Sequence, residues 1–454
     1  MEERIAMIKH PKAPLFNRSF GQRIRGKAVF TWGSVFLSAF LLSGCNVIKK
    51  YHKAIDAELA AKSDESGESV SVLQGQLTPV DRRPFIVHEL AKFAHPTAMS
   101  FLPDGRLLVT EKSGEIKLWH PDNQIGIIRN LPAVSDAGQG GLLDIALHPD
   151  FDRNHLIYLS WTETSTVGKN KNSQLSAEIP AENNGNESFD KTIVGAVVGR
   201  AELIFDNKGG GRLSGLSVIW RQDPKTEGNL EFGARMVFAP DKSLFISSGD
   251  RHQPASAQDM SINLGKIVRI TDIGRIPPDN PFNGTSFLKS QIWTSGHRNP
   301  LGLAFSPDGL FWENEIGQNG GDELNLIRKG ANYGWPIVSE QATAASNTPT
   351  TESNVTHQEF VGPKWSWSTS LAPSSLAFYT GNLFPEWKGN AFIGGLASQM
   401  LVRMEIKGEK VRETDRWPMG HSVRDVTQGP DGALWLICDD PNGGILIRLA
   451  PPGR

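Results

Sequence analysis

The chain has 454 residues, of which 39% are hydrophobic and 21% charged. That composition excludes global disorder and is ample for a large core. Two cysteines exclude a disulfide scaffold or a cysteine-rich zinc fold, and a net charge of −2 leaves no footprint for nucleic acid.

Residues 1–44 carry seven basic and two acidic side chains. Their apolar run, Ala28 to Leu42, is shorter than the ~20 residues of a membrane span. A basic start, a short apolar run and small residues at its end read as a secretory signal. The segment closes on Leu42-Ser43-Gly44-Cys45. This resembles a bacterial lipobox, in which cleavage precedes the cysteine and lipid is attached to its sulfur. The plainer reading is a signal peptide with a chance cysteine. By the same resemblance Asn46 favours the outer membrane, so the expected location is lipid-anchored in the cell envelope, facing the periplasm. Residues 45–83 read as a polar tether. Without residues 1–44 the chain holds 40 basic and 47 acidic side chains, a charge near −7. Cys438 is then the one thiol without lipid, and reads as a small buried hydrophobe.

From residue 84 to 454 one phrase recurs: an apolar residue, Pro-Asp, often Gly, then a short apolar strand. It appears as FLPDGRLLVT (101–110), LHPDFDRNHLIYLSW (147–161), FAPDKSLFISSGD (238–250), FSPDGLFWENE (305–315) and QGPDGALWLICDD (428–440). LFPEWKGNAFIGGL (383–396) is a looser copy. Pro presets φ, Asp bonds back to the backbone and Gly supplies positive φ, so each phrase predicts a hairpin. Six copies, some 45–46 residues apart, predict an all-β, six-bladed β-propeller. No long amphipathic helix competes. The polar stretches 163–190 and 340–360 read as surface insertions.

Several loop segments resemble the soluble pyrroloquinoline-quinone (PQQ) aldose sugar dehydrogenases. They are GQGGLLDIALHPDF (138–151), NLGKIVRI (263–270), IWTSGHRNPLGLAFSP (292–307), GGDELNLIRKGANYGWP (320–336), APSSLAFYTG (372–381) and VRDVTQGPDGALW (423–435). The resemblance runs from about residue 85 to 450. It implies a six-bladed propeller that oxidises a sugar CH–OH group, with PQQ and Ca2+ as cofactors. It also implies a small-molecule sugar substrate and an external electron acceptor. Guanidinium forks suit the three carboxylates of PQQ. By this resemblance Gln139, Arg298, Asn299 and Arg424 contact the cofactor. Gly317 and Gln318 fall at the cofactor's calcium, and Glu323 and Tyr333 at a second, structural calcium.

The pattern breaks at the chemistry. Glu231 of Glu231-Phe232-Gly233-Ala234-Arg235 stands where the family has its catalytic histidine. Ala397 replaces a cofactor-contacting lysine, and Ser422 the first arginine of an Arg-x-Arg pair. Gln318 replaces a proline, and Trp365 is the candidate for the aromatic near the cofactor. The pocket is then about three charge units more negative for a ligand that is itself acidic. Three functions are therefore weighed. One is a PQQ-dependent sugar dehydrogenase with Glu231 as its base. The second is a diverged propeller binding a carbohydrate or an envelope protein. The third is a calcium-dependent lactonase.

Overall fold

A computed structural model describes residues 82–167, 191–338 and 360–453. The expected signal and nearly all of the expected tether lie outside these residues, as do most of the two polar stretches.

Runs of β-branched, aliphatic and aromatic residues between Gly, Asn and Asp turns form 24 strands among the described residues. The first is β1 (Ile86–Phe93), followed by β2 (Pro96–Phe101), β3 (Leu107–Glu111), β4 (Glu115–Trp119) and β5 (Ile125–Arg129). Next come β6 (Leu142–Leu147), β7 (Leu156–Val167), β8 (Lys191–Phe205) and β9 (Gly211–Arg221). The third run is β10 (Gly233–Phe238), β11 (Leu244–Ser248), β12 (Lys266–Ile270) and β13 (Ile292–Ser295). The fourth is β14 (Pro300–Phe305), β15 (Phe311–Glu315), β16 (Asp322–Leu326) and β17 (Trp365–Trp367). The fifth is β18 (Pro373–Phe378), β19 (Ala391–Gly395), β20 (Met400–Lys407) and β21 (Lys410–Pro418). The last strands are β22 (Ser422–Gln428), β23 (Leu434–Asp440) and β24 (Gly443–Ala450).

Strands β10–β13, β14–β17 and β18–β21 are antiparallel sheets in chain order. Strands β22–β24 make another, completed by β1 on the outer edge, where Ile86 lies opposite Ala450. Strands β2–β5 and β6–β9 are two further antiparallel runs. Two parallel pairs, Ile128–Gly211 and Arg129–Arg212, join their edges into one eight-stranded sheet. The first strand of each run in chain order lies innermost. β2 contacts β6, β6 contacts β10, and so on through β14, β18 and β22, which contacts β2 again. The ring is closed.

The predicted hairpins are present, and each joins an inner strand to the next one out. Leu102 N–H bonds to the Arg106 carbonyl at 2.8 Å, Ser306 N–H to Leu310 at 2.8 Å and Gly429 N–H to Ala433 at 2.9 Å. Gly105, Gly309 and Gly432 sit at φ +88°, +85° and +77°, where a side chain would be strained. Helices among the described residues are short, such as Phe151–Asn154 and Phe287–Gln291. One expectation is corrected. Glu163–Val167 continues β7, paired residue for residue with β8, and does not begin an insertion.

The core is layered between successive runs. Phe392, Trp387 and Trp417 fill one layer; Trp312 and Trp367 face the next run in another. Burying such aromatics dominates the stability of each layer. The axis itself is polar. Arg235, on β10, ion-pairs with Asp144 of β6 at 3.3 Å. Its Nη2 also donates to the carbonyls of Thr97, Ser374 and Arg424, on β2, β18 and β22. One side chain thus ties five inner strands across the axis.

Candidate active site at the mouth of the ring

Every inner strand carries a β-bulge close to its first residue. A bulge re-aims side chains and bends the strand. The loops entering the inner strands therefore gather at one end of the ring. Gln139 precedes β6, Glu231 precedes β10, and Arg298 and Asn299 precede β14. Antiparallel pairing brings the β11–β12, β15–β16 and β19–β20 loops to the same end.

Four sequence-expected residues meet there. Glu231 is only 5% exposed, and one of its carboxylate oxygens is ion-paired with Arg298 Nη2. Its backbone N–H donates to Gln139 Oε1 at 2.7 Å. Asn299 Oδ1 accepts from Gly233 N–H at 3.2 Å, two residues beyond Glu231. Arg298 Nη1 donates to the Ile316 and Gly317 carbonyls, each at 3.0 Å. The Gly317 oxygen expected at calcium therefore already serves a guanidinium. Gln318 is exposed in the same loop.

Glu231 holds φ +54°, unusual for a residue with a side chain. Two features over-determine it. Arg251 donates to the Leu230, Gly228 and Val194 carbonyls and stacks over Phe232 at 3.8 Å. Gly249 packs so closely that a Cβ there would lie 2.1 Å from the Glu231 carbonyl oxygen.

The sequence reading missed three partners. Asp250, fully buried, hydrogen-bonds the Glu231 carboxylate and accepts from Trp335 Nε1 at 2.8 Å. His252 N–H donates to Glu231 Oε2 at 3.0 Å, and its ring Nδ1 lies 3.4 Å from Oε1. Trp335 lies 5.7 Å from the Arg298 guanidinium. Burial, then the Glu231 carboxylate beside it, pushes Asp250 up to about 7. Burial also pushes Glu231 upward, but the Asp250 hydrogen bond, Arg298 and His252 outweigh it and hold it below its ordinary value. Below about pH 7 the pair holds one proton, on Asp250, while Glu231 stays ionised and Arg298 balances its charge. A Gly-Asp step directly after the apolar strand of FAPDKSLFISSGD was the available signal.

Other expected residues lie apart from this cluster. Arg424 sits in the β22 bulge, 3.8 Å from Asp439, with its Nε buried and unpartnered. Ala397 is exposed in the β19–β20 loop, and the Ser422 hydroxyl donates to the neighbouring Leu396 carbonyl. The Tyr333 hydroxyl donates to the Leu326 carbonyl and accepts from Arg328 N–H, so that oxygen is committed to the fold. Glu323 accepts from Asn325 Nδ2 at 3.1 Å. Trp365 is corrected. It lies on β17, the outermost strand of its run, and packs against an inter-sheet layer, whereas the aromatic beside Arg298 is Trp335.

A closed ring of sheets with a charged, loop-built mouth defines a class of scaffold that hosts many chemistries. Comparison narrows it. The glucose/sorbosone dehydrogenase family matches residues 93–448, and the chain belongs to that family. The aldose sugar dehydrogenase YliI of Escherichia coli (strain K12) is 36% identical over 372 residues, covering 79% of this chain and 91% of that protein. The apo crystal structure of the soluble aldose sugar dehydrogenase from Escherichia coli superposes with a TM-score of 0.69 at 34% identity, over 81% of this chain and 99% of that one. The PQQ-bound aldose sugar dehydrogenase from Streptomyces coelicolor gives 0.60 at 26% identity, over 80% and 98%.

Proposed function

We infer that this chain is a PQQ-dependent oxidoreductase that oxidises a sugar CH–OH group at the mouth of a six-bladed propeller. The observation that carries it is Glu231: a buried carboxylate at the family's base position, proton-linked to Asp250 and balanced by Arg298. The donors fit an acidic quinone. Arg424 has a buried, unpartnered Nε and only a stretched ion pair, so its positive charge is available at the mouth. Arg298 and the free amide nitrogen of Gln139 would supply further donors, and Asn299 would orient the Arg298 loop. When bound, PQQ would accept the hydride.

The chain's own residues do the rest. Arg298 has two possible anions, Glu231 and an acidic ligand. As it turns toward the ligand, Glu231 loses its counter-charge and its proton affinity climbs. The base is then armed only when the site is filled. Asp250, hydrogen-bonded to the same carboxylate, passes or holds the shared proton, and Trp335 fixes Asp250. Withdrawal of Arg298 also frees the Gly317 carbonyl, a hard oxygen suited to calcium. Aldose substrates, calcium dependence and a periplasm-facing lipid anchor at Cys45 all belong to this proposal.

Titration with PQQ, with and without Ca2+, followed by dye-linked assays on an aldose panel, tests it. Binding with turnover is the expected result. Absence of both sinks the reading. A second reading, a carbohydrate- or protein-binding propeller without redox activity, is favoured by one observation: the Glu231–Arg298 ion pair occupies the principal cation. It predicts sugar or protein binding that PQQ does not affect.

A further inference from the structure

Strands β15 and β16 set Glu313 opposite Asn325 and Glu315 opposite Glu323. Side chains alternate along a strand, so these four share one sheet face. Against it, from the preceding run, lies His297. Its Nδ1 is 3.2 Å from Glu315 Oε1, and its Nε2 is 2.9 Å from Thr294 Oγ1. His297, Glu313 and Asn325 are 0% exposed and Glu315 is 4%.

This cluster lacks positive charge. Among the described residues no Lys or Arg side chain forms an ion pair with Glu313 or Glu315, and Glu315 is ion-paired with His297. Asn325 Nδ2 stands 3.1 Å from Glu313, 3.4 Å from Glu315 and 3.1 Å from Glu323. An amide nitrogen has two protons for those three oxygens. Glu313 Oε1 and Asn325 Oδ1 are both buried with no hydrogen-bond partner. Buried carboxylate oxygens are costly unless a cation or a proton meets them. One donor atom each from His297, Glu313 and Glu315 falls within 4.8 Å of the others.

We propose that His297, Glu313 and Glu315 hold a divalent transition-metal ion of the manganese-to-zinc series. Two carboxylates balance a divalent charge in a dry site. An imidazole nitrogen among the donors favours such an ion over calcium, which prefers oxygen throughout. With Nδ1 on the metal, Nε2–H donates to Thr294 Oγ1, which fixes the ring and its tautomer. The enclosed position makes the ion structural, taken up as the chain folds. It also has a consequence for the mouth. Arg298 N–H donates to Glu315 Oε2 at 2.5 Å, so the ion anchors the loop that carries Arg298 and Asn299. Glu323 and Tyr333, expected at a structural calcium, are not among its ligands.

The test needs no quinone and no activity. The chain is produced in zinc-, manganese- or cobalt-supplemented medium, dialysed against chelator, and its metal measured by plasma mass spectrometry. About one ion per chain should survive dialysis, as for other enclosed sites. Glu313→Gln should lower that content about ten-fold, while Glu323→Gln keeps it. In the cobalt form, His297→Gln should shift the visible ligand-field bands, which reads ligation directly even if Glu313→Gln folds poorly. Wild-type chain free of metal in all three media overturns the proposal. An ion kept by Glu313→Gln but lost from Glu323→Gln also overturns it, and assigns the ion to the calcium position.

Discussion

Along the axis, Asp144 and Asp425 accompany Arg235; at the mouth, Glu231 and Asp250 accompany Arg298. The two sets have the same composition, two carboxyls and a guanidinium. What differs is who satisfies the oxygens. Asp144 accepts from the Met236 and Ile145 N–H groups, and Asp425 from those of Met99 and Val426. Arg235 spends its fork on strand carbonyls. That set is locked into the sheets. At the mouth the carboxyls lean on each other and on loop residues, and Arg298 ion-pairs with a carboxylate that sits on a loop. Charge clusters become reactive when their partners are exchangeable, whatever their residue types.

The sharpest way to break this comparison is to remove each guanidinium. Arg235→Met strands two buried carboxylates and should cost about 3–5 kcal/mol in urea unfolding. Arg298→Met should cost only about 1–2 kcal/mol, because Glu231 and Asp250 can retain a proton instead. Equal losses would mean that the mouth is as structural as the axis. Glu231→Gln should lower dye-linked turnover about 10²–10⁴-fold with the thermal midpoint nearly unchanged. The same variant should bind PQQ more tightly, since Arg298 is released. Ala397→Lys combined with Ser422→Arg should raise PQQ affinity roughly ten-fold by adding two cations at the same end, read by calorimetry.

The smallest effect is on pH dependence. Asp250 and Asp425 are raised by burial, to about 7 and about 6. A carboxyl raised on folding binds its proton more tightly in the folded state. Its contribution is therefore greatest at low pH and is lost as pH rises through the folded value. The thermal midpoint of the wild type should fall from about pH 4 toward about pH 7. Asp250→Asn should reduce the slope up to about pH 7, and Asp425→Asn only up to about pH 6. Identical profiles in both variants would show that the two regions titrate alike.

Much of the ring was legible because its signal is local. Each Pro-Asp turn closes within a few residues, so a repeated phrase reports a repeated hairpin. Gln139, Glu231, Arg298 and Asn299 were legible as one site through their resemblance to family motifs. Asp250 and Trp335 were not, because they meet across loops from different runs, and the Gly249-Asp250 step marks only one side of that meeting. Glu163–Val167 was hidden by composition. Its alternating Thr, Glu and Ser suit an exposed strand, but they border a longer polar stretch. The shift from Trp365 to Trp335 has a similar origin, since the polar stretch 340–360 separates the two. Arg235 was visible only as the end of a motif; its reach across the axis depends on closure of the whole ring.

Closure has one more consequence. Because Ile86 pairs with Ala450, the two ends of the folded chain run side by side in one sheet. The order of the strands is therefore cyclic. A short linker joining residues 85 and 451, with new termini cut into an exposed turn such as Asp104–Gly105, should yield a circular permutant with the same ring and the same mouth.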